Sequence, residues 1–310
     1  MTDRSLSISG VLPVFQTPYF GDGSEAIQFQ TLRKELDWLF ECGADGVVMA
    51  MVSEVLRLSS EERETLAVAA CTAARDHNGA CVISVGAESS VLAERYACHA
   101  ERAGATAVMA IPPVSVAVDE AELDAYFRRI LDAIGLPVIV QDASNYVGEP
   151  MTIEFQAGLM NEFGAERVMF KPEASPFGPR LSALHEATDG KAKIFEGSGG
   201  IALIDSHARG ITGTMPGADL IRALVPLWQA LEAGESEIAG KIHSDLEPLL
   251  SLQNTLDSYL AVEKHLLKRQ GIFENELVRG PVGFRLDDET RAEIDRLFDA
   301  LLETISENSA

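Results

Sequence analysis

Short apolar runs alternate, over the first two-thirds of the chain, with longer stretches in which apolar residues recur every three or four positions. The runs cover residues 11–15, 46–50, 81–85, 107–111, 137–140, 167–170, 193–195 and 211–214. Each has the length of a strand buried on both faces, as parallel sheets require. Between them, residues 28–40 put Leu32, Leu36 and Leu39 on one helical face, and residues 61–75 and 92–102 carry the same period. Eight strands alternating with helices predict parallel βα units. Gly43-Ala44-Asp45-Gly46-Val47-Val48 returns as Gly104-Ala105-Thr106-Ala107-Val108-Met109, each a glycine helix stop followed by a buried strand. The interval matches two units of about 30 residues, and no G-x-G-x-x-G turn follows the first strand. A closed (β/α)8 barrel of the TIM type is expected over an open doubly wound sheet.

Beyond Thr214 the pattern changes to helices without strands, over residues 218–232, 235–270 and 288–307, with a loop at 271–286. The expected organisation is a barrel over residues 1–217 and a C-terminal helical extension over 218–310 packed on it, one structural unit. At 310 residues the chain exceeds the ~250 typical of a lone barrel.

Charge narrows the class of partner. With 25 basic and 48 acidic residues, a formal −23, neither nucleic acid nor an anionic membrane is expected as a partner. No apolar run approaches the ~20 residues of a membrane span, and Met1-Thr2-Asp3-Arg4-Ser5 lacks the regions of a signal peptide. The expectation is a cytoplasmic protein. Cys42, Cys71, Cys81 and Cys98 form no C-x-x-C pair and read as free thiols, and the six histidines are scattered, so no metal site is expected.

In such barrels chemistry stands at the C-terminal ends of strands and in the loops that follow. Lys171 ends the apolar run Val168-Met169-Phe170 and precedes Pro172. A lysine there is either desolvated at the barrel mouth, where a neutral amine can attack a ketone, or simply marks the strand's exit into solvent. Gly197-Ser198-Gly199-Gly200 leads into a helix, either an anion site for a substrate carboxylate or a tight turn that needs glycine.

Several segments, in order, carry a resemblance. They are Gly10-Val11-Leu12-Pro13-Val14-Phe15-Gln16-Thr17-Pro18, Gly43-Ala44-Asp45-Gly46-Val47, Ser53-Glu54 with Leu58-Ser59-Ser60-Glu61-Glu62-Arg63, Leu136-Pro137-Val138-Ile139-Val140, and the strand ending in Lys171. Over nearly its full length the chain resembles the N-acetylneuraminate lyase / dihydrodipicolinate synthase family, class I aldolases and hydro-lyases that work through a lysine imine. The resemblance implies that Lys171 forms the imine with a small 2-oxo acid, that no further cofactor is needed, and that the chain is a homo-tetramer.

The departures are specific. Family aldolases usually carry G-T-T-G-E after the second strand to bind the substrate carboxylate, whereas here Ala50-Met51-Val52-Ser53-Glu54 keeps only the Ser53 hydroxyl. The tyrosine that usually ends the fifth strand is replaced by Gln141, followed by Asp142, and Ile111-Pro112-Pro113-Val114 lacks the usual phenol. The family more often has glutamate directly after the lysine; here Pro172 intervenes and Glu173 follows. Glu173 is then either re-aimed into the pocket as the proton-transfer group or a surface carboxylate. Gln141, Asp142 and Tyr146 are alternatives, and Glu54 is either catalytic or a structural partner of backbone amides. The candidate catalytic residues are Lys171 and Glu173. The candidate substrate contacts are Ser53, Gln141, Asp142, Gly197, Ser198, Gly199 and Thr214.

The imine makes the C3 proton of a 2-oxo acid acidic, and two routes diverge from the enamine. Loss of a C4 hydroxyl is dehydration, and cleavage of C3–C4 is retro-aldol. Without the tyrosine relay, dehydration of a 2-keto-3-deoxy sugar acid is the leading expectation, and the resemblance of the lysine and glutamate arrangement implies L-2-keto-3-deoxyarabonate giving 2-oxoglutarate semialdehyde as the nearest fit. The alternatives are a pyruvate-dependent aldolase and a non-catalytic 2-oxo acid sensor.

Overall fold

Period-two burial sorts the strand residues into two cores. The computed structural model describes residues 8–144 and 149–308. Among them run eight strands: β1 (Gly10–Val11), β2 (Gly46–Met49), β3 (Ala80–Ser84), β4 (Ala107–Ala110), β5 (Val138–Asp142), β6 (Val168–Pro172), β7 (Phe195–Glu196) and β8 (Gly213–Thr214). Val47 and Met49, Val108 and Ala110, and Val168 and Phe170 point outward into one core under the helices. Val48, Ala107, Met109, Ile139, Met169 and Phe195, one residue out of step, fill the barrel axis. Each valine, isoleucine, methionine or phenylalanine so buried contributes about 1.5–3 kcal/mol relative to exposure.

All pairings between these strands are parallel. β2 to β6 form one run, and β1, β8 and β7 another. Bridges between Val14 and Val48 and between Phe170 and Ile194 join the two runs, which closes the barrel. The strands at the β1/β8 side are shorter than their apolar runs. Pro13 and Pro216 have no N–H to donate, and the chain there keeps single bonds such as Leu12 N–H to Thr214 O (2.9 Å) and Val14 N–H to Pro216 O (2.7 Å).

The helices are α1 (Phe29–Glu41), α2 (Ser60–Asp76), α3 (Ser90–Ala103), α4 (Glu120–Ala133), α5 (Ile153–Phe163), α6 (Phe177–Ala187), α7 (Leu203–Ala208), α8 (Ile221–Ala233), α9 (Ser236–Leu250), α10 (Leu256–Arg269) and α11 (Asp288–Asn308). Leu32, Leu36 and Leu39 of α1 are fully buried. Gly43 (φ 95°) and Gly104 (φ 93°) adopt the left-handed conformation after α1 and α3, and β2 and β4 follow, as the repeat implied.

α8 packs on β1, and α9 and α11 pack beyond it. The single helix expected over 235–270 is two. α9 stops at Leu250, and Thr255 caps α10 by accepting from Ser258 N–H (3.2 Å). The break lets α10 turn back over the barrel mouth, where it meets the turn after β2. Among the described residues no helix is long and apolar enough to cross a membrane.

Candidate active site

The inward residue order that fills the barrel axis also builds the site. Continuing by twos from Met169 puts Lys171 and then Glu173 on the inner face at the open end of β6, and Ile139 leads likewise to Gln141 on β5. Gln141 and Lys171 are register partners. The intervening Pro172 is what sets Glu173 beside Lys171, since a glutamate directly after the lysine would face the helices. Glu173 N–H donates to Asp142 O (2.9 Å) and fixes the backbone there.

Lys171 and Glu173 are each 4% exposed. Lys171 Nζ lies 2.9 Å from Glu173 Oε1, and Gln141 Nε2 donates to Glu173 Oε2 (3.0 Å). Burial pushes the Glu173 carboxyl above its usual range, against the opposing pull of Lys171. The three line one cavity with Val14, Ala50, Met51 and Val52 from the segment after β1 and the turn after β2, Gly197 and Gly199 after β7, and Leu256, Tyr259 and Glu263 from α10.

Gly197 is required by close approach. A Cβ there would stand 2.7 Å from Glu173 Cγ and Oε1 and 3.0 Å from Lys171 Cε. Gly199 is required by conformation (φ 76°), and its missing side chain leaves room for the Tyr259 hydroxyl.

Four expected substrate contacts stand beside the cavity and not in its lining, and each is already engaged. Ser53 Oγ donates to Phe15 O (2.6 Å) and accepts from Ala50 N–H (3.1 Å), tying the turn after β2 to the segment that follows β1. Asp142, one residue off the inward order, accepts from Ser144 N–H (3.2 Å), Met151 N–H (3.1 Å) and Arg180 (3.4 Å). Thr214 Oγ1 donates to Glu196 Oε2 (2.6 Å), and the same carboxylate's Oε1 accepts from Ser198 N–H (2.5 Å) and the Ser198 hydroxyl. Glu196 faces away from the axis, opposite to Phe195, so it draws both hydroxyls outward. The anion expected at the glycine-rich turn is therefore a carboxylate of the protein itself. Tyr146 lies outside the described residues.

Glu54 is structural. Its backbone is left-handed (φ 61°), Oε1 is paired with Lys264, and Oε2 accepts from Arg279 N–H (3.0 Å). This fastens the turn after β2 to α10 and to the loop before α11.

Sequence reasoning missed Gln16, Tyr259 and Glu263. The two α10 residues sit four apart and so share a helix face. The available signal was a glutamate and a lysine, Glu263-Lys264, in the apolar stripe of that helix, where both are fully buried. Among the described residues no three His, Cys, Asp or Glu side chains are set to hold a metal.

Comparison with known proteins gives the family and the fold. Residues 7–301 match the model of the dihydrodipicolinate synthetase family. An L-2-keto-3-deoxyarabonate dehydratase from Azospirillum brasilense is 28% identical over 294 residues, covering 92% of each chain. A 4-hydroxy-tetrahydrodipicolinate synthase from Methanosarcina acetivorans is 25% identical over 244 residues, 78% of this chain and 81% of that one. The crystal structure of a putative dihydrodipicolinate synthetase from Pseudomonas aeruginosa superposes with a TM-score of 0.88 at 23% identity, covering 95% of this chain and all of that one, and shares the barrel. The chain belongs to the dihydrodipicolinate synthetase family of lyases.

Proposed function

We propose that the chain dehydrates a 2-keto-3-deoxy sugar acid through an imine on Lys171, with L-2-keto-3-deoxyarabonate as the substrate of first choice. The observation that carries this reading is the buried pair of Lys171 and Glu173 at 2.9 Å. Nζ bonds to C2 of the substrate and C3 is the next carbon, so a carboxylate at that distance from Nζ is within reach of the C3 proton. It is also the group that takes up the proton an ammonium must shed before it attacks. Removing the C3 proton gives the enamine, loss of the C4 hydroxyl gives a C3=C4 bond, and tautomerisation and hydrolysis release 2-oxoglutarate semialdehyde and the free lysine.

The substrate carboxylate is assigned to the 3-10 turn Met51–Ser53, whose first N–H groups lack partners within the turn. Met51 and Val52 line the cavity, so backbone donors serve where the family's threonines are absent. Likeness to the Azospirillum dehydratase over 92% of both chains favours this substrate.

Tyr259 favours a second reading, aldol cleavage, since it brings a phenol into the cavity from α10 where β4 and β5 supply none. Product analysis separates the two. Incubation with L-2-keto-3-deoxyarabonate should give 2-oxoglutarate semialdehyde and no pyruvate. Pyruvate with a two-carbon aldehyde would replace dehydration by cleavage, and binding without turnover would leave a sensor.

A further inference from the structure

At and beside the cavity lie three buried acids that the reaction above does not use. Glu35 of α1 and Glu263 of α10 are fully buried, and Asp219, just before α8, is 1% exposed. Glu35 Oε1 accepts from Gln16 N–H (2.8 Å), Glu263 Oε2 from the Gln16 side chain, and Asp219 Oδ2 from Gln253 Nε2 (3.0 Å). The remaining oxygens of Glu35 and Glu263 have no partner. Glu263 Oε1 and Asp219 Oδ1 both crowd the Cα of Gly217, which itself lines the cavity.

The nearby cation is spent elsewhere. Lys264 directs its three protons to Thr17 O (2.8 Å), Leu277 O (2.7 Å) and Glu54 Oε1. Among the described residues no ammonium or guanidinium forms an ion pair with Glu35, Asp219 or Glu263. Three carboxylates so placed are too costly to bury as anions and retain protons instead. Burial holds Asp219 up at about 7, and Glu35 and Glu263 stand well above the usual carboxylate range. Burial is the main cause for Glu263 as well, reinforced by the other two acids.

A neutral carboxyl is a hydrogen-bond donor. Of the three acids only Glu263 lines the cavity, and its free oxygen is the one not held by Gln16. We propose that Glu263 is the acid that protonates the departing C4 hydroxyl, working against Glu173 as the base at C3. The proposal rests on the dehydratase reading above. In the step, the C3–H electron pair becomes the C3=C4 bond as Glu173 takes the proton. The C4–O bond breaks with its electrons on oxygen, which leaves as water with the proton from Glu263. The imine nitrogen carries the electrons through the enamine and ends as the iminium. Glu263 is left ionised and Glu173 protonated, and exchange with solvent resets both. Gln16 is a positioning residue, since it holds the other oxygen of the acid.

The test separates the two halves of the reaction. Pyruvate has no C4 hydroxyl, so its borohydride adduct on Lys171 and the exchange of its methyl protons into deuterium oxide need only the lysine and the base. Glu263→Gln should keep both within about twofold of the unaltered protein while dehydration falls about 100-fold or more. A substrate analogue with fluoride at C4, which leaves without a full proton, should recover most of the loss. Should Glu263→Gln fail to fold, Glu263→Asp keeps a carboxyl but withdraws it by one methylene, and the same split is required of it. Dehydration within threefold of the unaltered protein would overturn the assignment. So would parallel loss of exchange, or a fluoride analogue slowed as much as the natural substrate. If the unaltered protein forms no adduct at all, the lyase reading fails and the role of Glu263 falls with it.

Discussion

Lys171 and Glu173 act as one unit, and their substitutions should have different signatures. Lys171→Ala should abolish turnover and imine trapping together. Glu173→Gln keeps the shape but not the base and should lower kcat by about 10²–10⁴, with an adduct still trapped on Lys171. The base must be ionised, and burial raises the proton affinity of Glu173. Activity should therefore fall as pH drops through that raised value, which places the acid limb of the kcat/KM profile above the range of an exposed glutamate. An acid limb at or below that range would count against Glu173 as the base. Gly197→Ala forces a methyl within 2.7–3.0 Å of both residues. It should cost at least tenfold in kcat with little change in Tm, read by steady-state kinetics beside thermal unfolding.

α10 is the element on which the site depends most, and the one least legible beforehand. The strand ends gave up Lys171, Gln141 and Glu173 because a period of two and the rule for barrel mouths both act over a few residues. Tyr259 and Glu263 enter from a helix almost a hundred residues later, and nothing local shows which way that helix turns. Its start was nevertheless written in Asn254-Thr255-Leu256-Asp257-Ser258, a capping sequence inside what reads as one continuous helix from 235 to 270. The hydroxyls of Ser53, Ser198 and Thr214 looked available for the opposite reason. Ser53 and Thr214 have partners, Phe15 O and Glu196, that appear only when the strands are side by side, and Ser198 is held within its own turn by Glu196 two residues before it. Thr255→Ala removes the α10 cap and should cost about 1 kcal/mol, measured by chemical denaturation. Because the same helix carries Tyr259 and Glu263, kcat should fall more than stability does. Unchanged turnover with the expected loss of stability would separate α10 from the chemistry.

For the molecule as a whole, the barrel was readable because eight apolar runs and a repeat of two βα units leave few ways to bury both faces of every strand. A closed barrel was expected from the unit spacing and the missing G-x-G-x-x-G turn, but not that closure rests on the single bridges at Val14–Val48 and Phe170–Ile194. The buried acids also set a pH dependence of folding. Between pH about 4 and about 7 the unfolded Asp219 is ionised while the folded one, held up at about 7, is protonated. Folding therefore takes up a proton in that window, and stability should fall as pH rises across it, by on the order of 4 kcal/mol from this group. Asp219→Asn should flatten that slope, read from urea unfolding at pH 5 and 7.5, and an unchanged slope would show that Asp219 is ionised when folded. All of the proposed chemistry depends on one covalent bond. Pyruvate and borohydride should leave a reduced pyruvyl group on the peptide that contains Lys171, identified by mass spectrometry. A folded protein that acquires no adduct, or acquires it on a different lysine, would contradict the assignment of this barrel as a Schiff-base lyase.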